Sequence, residues 1–75
     1  MSEDPKALFG RRLAALRHAR NWSQEDLAGE SGISWRYISD VERGHRNIGL
    51  VNICRLARAL GVPASKLMSF EQPDR

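Results

Sequence analysis

The chain has 75 residues, 41% of them hydrophobic and 28% charged, a mixture typical of a folded globular protein. This length leaves room for one small domain and excludes an enzyme with separate cofactor and substrate lobes. A domain so short buries only about 60% of the surface of its unfolded chain, so self-association is a reasonable way to cover the remaining apolar surface. We therefore predict a single domain over residues 1–75, with an ordered core from about residue 5 to residue 70.

The charge is positive and comes mostly from arginine. Twelve Lys and Arg residues against nine Asp and Glu give a formal net charge of +3, and ten of the twelve basic residues are Arg. Over residues 5–70 the formal charge rises to +6, because several acidic residues lie at the two ends. The planar guanidinium pairs well with phosphates and guanine edges, which favours a polyanionic partner. Basic surfaces also occur on ribosome-associated and membrane-surface proteins.

Several classes of function lack the residues that they need. Cys54 is the single cysteine, which excludes an intramolecular disulfide and a cysteine metal cluster and fits a reducing cytoplasm. His18 and His45 have no second ligand at a metal spacing, and no catalytic triad or phosphate-binding glycine loop can be assembled. The apolar runs fall far below the roughly 20 residues of a membrane span, and the acidic start is unlike a secretory signal. We expect no catalysis, metal, cofactor, small-molecule ligand or membrane contact.

The first predicted helix covers residues 5–20. Three of its apolar residues lie on one face, with Leu13 and Leu16 each within about 40° of Phe9 around the helix. The other faces carry basic residues and no acid, so this helix contributes much of the positive field. Asp4 and Pro5 suit the N-cap and the first turn.

The next two helices begin with the same local pattern. Ser23 is followed three residues later by Asp26, which predicts a capping box for a second helix that ends at Gly32. Ser34 caps a third helix that runs to about Arg43. Both starts are flanked by apolar pairs at the spacing of a hydrophobic staple, Trp22 with Leu27 and Ile33 with Ile38.

Two further helices follow an exposed connection. Gly44 is expected in the left-handed conformation that ends the third helix, and Gly61 is the predicted end of a fourth helix. That fourth helix covers Leu50–Leu60, with five residues on the core spacing: Leu50, Ile53, Leu56, Ala57 and Leu60. A short fifth helix starts near Pro63, in its first turn, and carries Leu67 and Phe70. No stretch alternates with a period of two, so the predicted fold class is all-α, a compact five-helix bundle.

A twenty-residue window that starts at Gln24 matches a helix-turn-helix. The matching positions are a small residue where two helices cross, a glycine at the turn and apolar residues that bury the helices: Leu27, Ala28, Gly32, Ile33, Ile38 and Val41. Six matches in register across two separately predicted helices, in a basic chain, indicate a DNA-binding unit formed by the second and third helices.

These residues resemble the Cro and phage-repressor type of helix-turn-helix proteins, often called the XRE family. The likeness rests on residues 23–28, 37–44 and 56–63 and covers most of the chain. It implies a lambda-repressor-like domain that binds double-stranded DNA, and an interior salt bridge between Arg17 and Glu42. It also implies a bacterial or phage-type transcriptional regulator, cytoplasmic and associated with the nucleoid when bound. Phage control, restriction-modification control and antitoxin action all fit the resemblance. Ile48 and Gly49 replace the Pro-Ser often seen before the fourth helix, which predicts a weaker cap there.

Helical geometry sorts the third helix into two faces. Ile38 and Val41 point toward the core, and a second set lies within about 100° on the other side: Trp35, Arg36, Ser39 and Arg43. The N-terminal residues of a recognition helix reach base edges, so Trp35, Arg36 and Ser39 are the readout candidates. Arg36 can bond bidentately to guanine or bind a phosphate. Trp35 can press on a thymine methyl group or pack against protein.

Other residues are candidates for phosphate contacts. Gln24 opens the second helix at the positive end of the helix dipole, a role that the resemblance also implies. Tyr37 lies off the reading face, so its hydroxyl is expected to reach a phosphate or a backbone group rather than a base, and a core or positioning role is favoured. Residues just after the third helix can clamp the DNA backbone. The complete candidate DNA-binding set is Ser23, Gln24, Ser34, Trp35, Arg36, Tyr37, Ser39, Arg43, His45, Arg46 and Asn47.

A homodimer is expected to span two half-sites of a palindromic operator about 34 Å apart. The candidate interface consists of apolar residues of the fourth and fifth helices, since the core is not expected to bury all of them: Val51, Cys54, Met68 and Phe70. Contact between RNA polymerase and the acids of the second helix, or the surface of the third, would support activation.

The competing interpretation is a protein-interaction module that binds its partner through Trp35 and Tyr37. An amphipathic membrane-surface protein would need the first helix to expose its apolar face.

Overall fold

The computed structural model describes residues 3–70, which form five α-helices and no strand. Their bounds are α1, Pro5–Ala19; α2, Gln24–Ser31; α3, Trp35–Glu42; α4, Leu50–Leu60; and α5, Ala64–Leu67. The predicted all-α five-helix bundle is confirmed, and each observed helix lies where the sequence predicted one. Among these helices none is both long and apolar enough to cross a bilayer.

The helix starts follow the predicted capping chemistry. The Ser23 hydroxyl accepts a hydrogen bond from the Asp26 N–H at 3.0 Å, and the Asp26 carboxylate accepts one from the Ser23 N–H at 2.9 Å. This reciprocal pair is the predicted capping box. The Ser34 hydroxyl accepts from the Tyr37 N–H at 3.1 Å at the start of α3. Gly49 caps α4 without a side-chain hydrogen bond, as its sequence implied.

The turn of the helix-turn-helix depends on Gly32, whose φ of +76° lies in the left-handed region that favours glycine. Its N–H donates to the Ala28 carbonyl oxygen at 2.9 Å, so the last turn of α2 closes before the chain reverses into α3. Ala28 packs against the core at the same crossing. The steric reasons that identified the motif in the sequence therefore hold in the structure.

Three details of the sequence prediction are wrong. Leu50 is 74% exposed instead of buried, because it occupies the first position of α4, at the mouth of an open groove beside the end of α2. The core does not extend to this end of the helix. Pro63 is the N-cap of α5 and not a residue of its first turn, and Phe70 lies beyond the helix, where it still packs half-buried against the core.

The core draws on all five helices and the turn before α3. Its buried residues are Phe9, Leu13, Leu27, Ile33, Ile38, Val41, Leu56, Ala57, Leu60 and Leu67. In this arrangement α3 packs against α1 and α2, while α4 packs against α2 and α5. The recognition helix is thus supported along its back by two helices, and its opposite face is left open to solvent.

Candidate nucleic-acid interface

The two faces of α3 separate as the helical spacing predicts. Ile38 and Val41 are almost completely buried, at 0% and 1% exposure. On the other side Arg36 is exposed and Trp35 keeps 46% of its surface open to solvent. Ser39 lies between them and is half-buried. The solvent-exposed face of α3 thus carries a cation and an aromatic ring at its N-terminal end, the end whose residues contact base edges in helix-turn-helix proteins.

Trp35 and Arg36 contact each other at the start of α3. The guanidinium carbon of Arg36 lies 5.6 Å from the centroid of the Trp35 ring, within the range of a cation–π interaction. The ring therefore packs partly on its own protein, one of the two options that the sequence left open. The hydrogen-bonding edge of the exposed Arg36 guanidinium can still reach a guanine or a phosphate.

A cluster of four charged and aromatic residues, which we call the Asp40 cluster, extends from the first turn of α3 into the loop that follows the helix. It consists of Tyr37, Asp40, Arg43 and Arg46. Nη2 of Arg43 donates to Oδ1 of Asp40 at 2.9 Å, and Nε of Arg46 lies 3.6 Å from Oδ2. The guanidinium carbon of Arg46 stands 4.9 Å from the Tyr37 ring centroid. The hydrogen bond from Arg43 holds the pKa of the Asp40 carboxyl below its ordinary value, so this group stays ionised.

Asp40 was absent from the candidate residues of the sequence analysis. The signal was nevertheless present, because Asp40 and Arg43 have the i,i+3 spacing of neighbours on a helix. The half-buried ring of Tyr37 lies against the guanidinium of Arg46.

The loop after α3 carries the remaining predicted backbone contacts. His45, Arg46 and Asn47 are all exposed. The His45 N–H donates to the Asp40 carbonyl oxygen at 2.8 Å, which anchors the start of this loop to the helix. As a result Arg43 and Arg46 lie beside the reading face of α3, in positions from which both could contact a phosphate.

Gln24 at the start of α2 is turned inward. Its Nε2 donates to Oε1 of Glu42 at 2.9 Å, and the side chain is half-buried. The predicted phosphate contact of this residue would therefore come from its backbone N–H at the positive end of α2. Ser23 and Ser34 are exposed at the two helix starts, with their hydroxyls used as caps.

An interior ion pair joins α1 to the end of α3, as the family resemblance implied. Nε of Arg17 donates to Oε2 of Glu42 at 2.7 Å, and Nη2 donates to Oε1 at 2.8 Å. The two side chains are only 9% and 7% exposed. Nη1 of Arg17 also donates to the Trp22 carbonyl oxygen at 2.8 Å. The hydrogen bonding with Glu42 raises the pKa of Arg17, and the two hydrogen bonds of this pair fix α3 against α1.

The four candidate dimer residues fall into two groups. Val51, 72% exposed, and the exposed Cys54 line an open groove of about 660 Å³ between α4 and the end of α2, together with Leu50. Met68, 50% exposed, and the half-buried Phe70 line a second, smaller groove of about 150 Å³ beside α1. The structure therefore does not unite all four in one patch.

A helix-turn-helix whose second helix presents arginines on an open face defines the class of DNA-binding helical domains. Comparison with known proteins agrees: the family model described as "Helix-turn-helix" matches residues 13–67, and the chain belongs to this family. It is a sequence-specific DNA-binding regulator and not an enzyme.

Two relatives support this assignment, and a third protein shares the fold. Control protein C.BamHI of Bacillus amyloliquefaciens is 42% identical over 71 residues, which cover 93% of this chain and 88% of that protein. The crystal structure of the restriction-modification controller protein C.AhdI from Aeromonas hydrophila superposes with a TM-score of 0.81 at 48% identity, covering 83% of this chain and 94% of C.AhdI. The controller C.Esp1396I, solved as a tetramer with its natural 35 base-pair operator, has the same fold: TM-score 0.80, 24% identity, 88% and 87% coverage.

Proposed function

We propose that this chain is the controller protein of a restriction-modification system, a homodimer that regulates transcription from a palindromic operator. The observation that carries the proposal is the likeness to C.AhdI, 48% identical over 94% of that restriction-modification controller. C.BamHI, a control protein, supports it at 42% identity over nearly its full length. Among the host processes left open by the sequence, restriction-modification control is the one that these relatives favour.

The proposed docking inserts α3 into the major groove with its N-terminal end toward the bases. Arg36 reads a guanine through O6 and N7, and Trp35 and Ser39 contact the neighbouring bases. Arg43 and Arg46 bind phosphates on one side of the groove. The backbone N–H of Gln24 binds a phosphate on the other. Base readout and backbone clamping would thus come from different ends of the same helix-turn-helix.

The proposed dimer uses the exposed start of α4. Leu50 and Val51 are 74% and 72% exposed in the single chain, and Cys54 continues the same groove. Burying this surface against a second copy would remove apolar area from water and set the two copies of α3 one DNA turn apart, about 34 Å. In this proposal the protein acts in the cytoplasm, on the nucleoid, and activation would bring the acids Glu25 and Asp26 of α2 against RNA polymerase.

Selection of bound duplexes from a random DNA pool tests the proposal. The recovered sequence and a scrambled duplex of the same composition are then titrated at two salt concentrations. We expect a palindrome bound at least about a thousandfold more tightly than the scrambled duplex. The palindrome should lie upstream of restriction-modification genes in the source genome, and the protein should change the output of a reporter driven by that promoter.

Two results would contradict the proposal. Weak binding of both duplexes with the same salt slope would favour a protein-interaction module that keeps the helix-turn-helix as a scaffold. If the palindrome maps only to promoters of other genes, the protein is still a DNA-binding regulator, but the restriction-modification role is wrong.

A further inference from the structure

The Asp40 cluster contains a negative charge on the side of α3 that is proposed to face DNA. At 100° per residue, Asp40 lies only about 40° around the helix from Arg36 and about 60° from Arg43. A carboxylate in this place repels the phosphate backbone, and it weakens the contribution of the neighbouring cations to binding. The structure shows what offsets this repulsion: Asp40 forms ion pairs with both Arg43 and Arg46.

We propose that Asp40 is a specificity-determining positioning residue. It holds Arg43 and Arg46 in the geometry that a matching operator requires and lowers the affinity for DNA that does not match. The inference rests on the proposed function, since it assigns Asp40 a role in the sequence reading done by α3.

The contacts with Asp40 orient Arg43 and Arg46 and leave most of their N–H donors free. A guanidinium has five N–H donors, and the hydrogen bond to Asp40 uses one from Nη2 of Arg43. The side chains of Arg43 and Arg46 remain 61% and 52% exposed, so their other donors can reach DNA. A long, freely rotating side chain loses conformational entropy when it binds a phosphate. Orientation before binding removes part of that loss.

Arg46 is held from two sides. Its Nε faces the Asp40 carboxylate at 3.6 Å and its guanidinium carbon stands 4.9 Å from the Tyr37 ring. The chain returns to this position through Gly44, whose φ is +79° and where a Cβ would lie 3.0 Å from Cα of Ala7. A residue on an exposed loop thereby acquires a defined place beside the recognition helix.

The charge of Asp40 acts on matching and non-matching DNA to different extents. Non-specific binding comes almost entirely from cations near phosphates, so a carboxylate paired with two of these cations weakens it directly. Binding to the operator also depends on where the guanidinium groups stand, and the same carboxylate improves that geometry. Both effects increase the ratio of specific to non-specific affinity.

The test replaces Asp40 with Asn, which keeps the shape and removes the charge. Dissociation constants are measured on the duplex that the wild-type protein selects from a random pool and on a scrambled duplex, over a series of salt concentrations. For Asp40→Asn we expect the specificity ratio to fall at least about tenfold, with tighter binding to the scrambled duplex. The slope of log K against log salt should become steeper by about 0.9, the change expected for one additional phosphate contact. The Tm should move by less than about 4 °C, because the ion pair of the half-buried Asp40 with the exposed Arg43 remains in contact with solvent.

Glu3→Gln is the matched control, because Glu3 is an exposed acid paired with the exposed Arg11 of α1, outside the candidate DNA-binding and dimer residues. It removes one negative charge and should leave the ratio and the salt slope unchanged. Asp40→Glu keeps the charge on a longer side chain and should retain the shallow salt slope of the wild type.

The outcomes separate the inference from the proposed function. A wild-type protein that selects no sequence overturns both. A selective wild-type protein overturns the inference alone if Asp40→Asn keeps its ratio, or if it weakens binding to both duplexes equally. The inference is also overturned if Glu3→Gln reproduces the effect of Asp40→Asn, or if Asp40→Glu behaves like Asp40→Asn.

Discussion

Gly10 lies so close to the end of α3 that a Cβ atom on it would overlap the carbonyl oxygen of Val41. The carbonyl oxygen of Glu42 would lie 2.6 Å away, and Gly10 itself is buried. Since both acceptors belong to the backbone of α3, they cannot rotate out of the way. The missing side chain at this position is therefore what lets α1 rest directly on the end of the recognition helix.

We expect Gly10→Ala to lower the free energy of unfolding by about 1 to 3 kcal/mol, because the added methyl group forces α1 and α3 apart. Gly29→Ala is the control, since nothing lies within 4 Å of a Cβ at this position in α2. There alanine should raise the stability by roughly 0.5 to 1 kcal/mol through its helix propensity. Urea denaturation followed by circular dichroism measures both, and a stabilised Gly10→Ala variant would refute the close contact.

Gly10 also illustrates what a sequence pattern cannot predict. Helix ends were predictable because capping is local: Ser23 and Asp26 contact each other three residues apart, whatever the rest of the chain does. The close approach of α1 to α3 joins residues about thirty positions apart, and a glycine inside a helix carries no local sign of it. Likewise the spacing of Leu50 predicts a core residue, but the residue is exposed. Its exposure depends on where the neighbouring helices end, which the spacing within α4 does not show.

The candidate site divides in the same way. Helical spacing alone predicted that Trp35 and Arg36 lie opposite Ile38 and Val41, because the face of a short helix follows from its period. The inward turn of Gln24 could not be predicted from position, since it depends on the Glu42 carboxylate eighteen residues away. Long-range polar contacts of this kind are set by the packing of α2 and α3.

The interior pair of Arg17 and Glu42 predicts a large loss of stability when one charge is left alone. Arg17→Met or Glu42→Leu should each cost about 3 to 5 kcal/mol, because the remaining ion stays buried without its partner. The double variant Arg17→Met/Glu42→Leu should recover part of that loss. A double-mutant cycle from urea denaturation measures the coupling. Additive single losses would show that the two side chains do not depend on each other.

Arg36 is expected to discriminate between bases. Arg36→Ala should reduce the preference for the selected duplex over one with its guanine replaced by about 1 to 3 kcal/mol. Arg43→Ala serves for comparison, since a phosphate contact does not depend on the base at the Arg36 position: its loss should weaken binding to both of these duplexes equally and lower the salt slope by about one. Competition titrations with both duplexes measure the two effects. If Arg36→Ala weakens both duplexes equally, Arg36 binds a phosphate and base readout belongs to other residues.

A substitution at Val51 tests whether the dimer interface lies on α4. Its side chain is 72% exposed, so Val51→Asp should leave the fold of the single chain intact. In a dimer that buries this position, the new carboxylate would lose its hydration and face its own copy across the two-fold axis. We therefore expect the dimer dissociation constant to rise at least about tenfold. Sedimentation velocity over a range of concentrations measures it, with operator binding shifting to higher protein concentration.

Ala15→Asp gives the matched control for this change, because Ala15 is also an exposed apolar residue but lies on α1. It should leave both the dimer and operator binding as they are. An unchanged dimer in Val51→Asp would move the interface away from the α4 groove. The second groove, lined by Met68 and Phe70, would then be the surface to test, with Met68 as the better position because Phe70 also packs against the core.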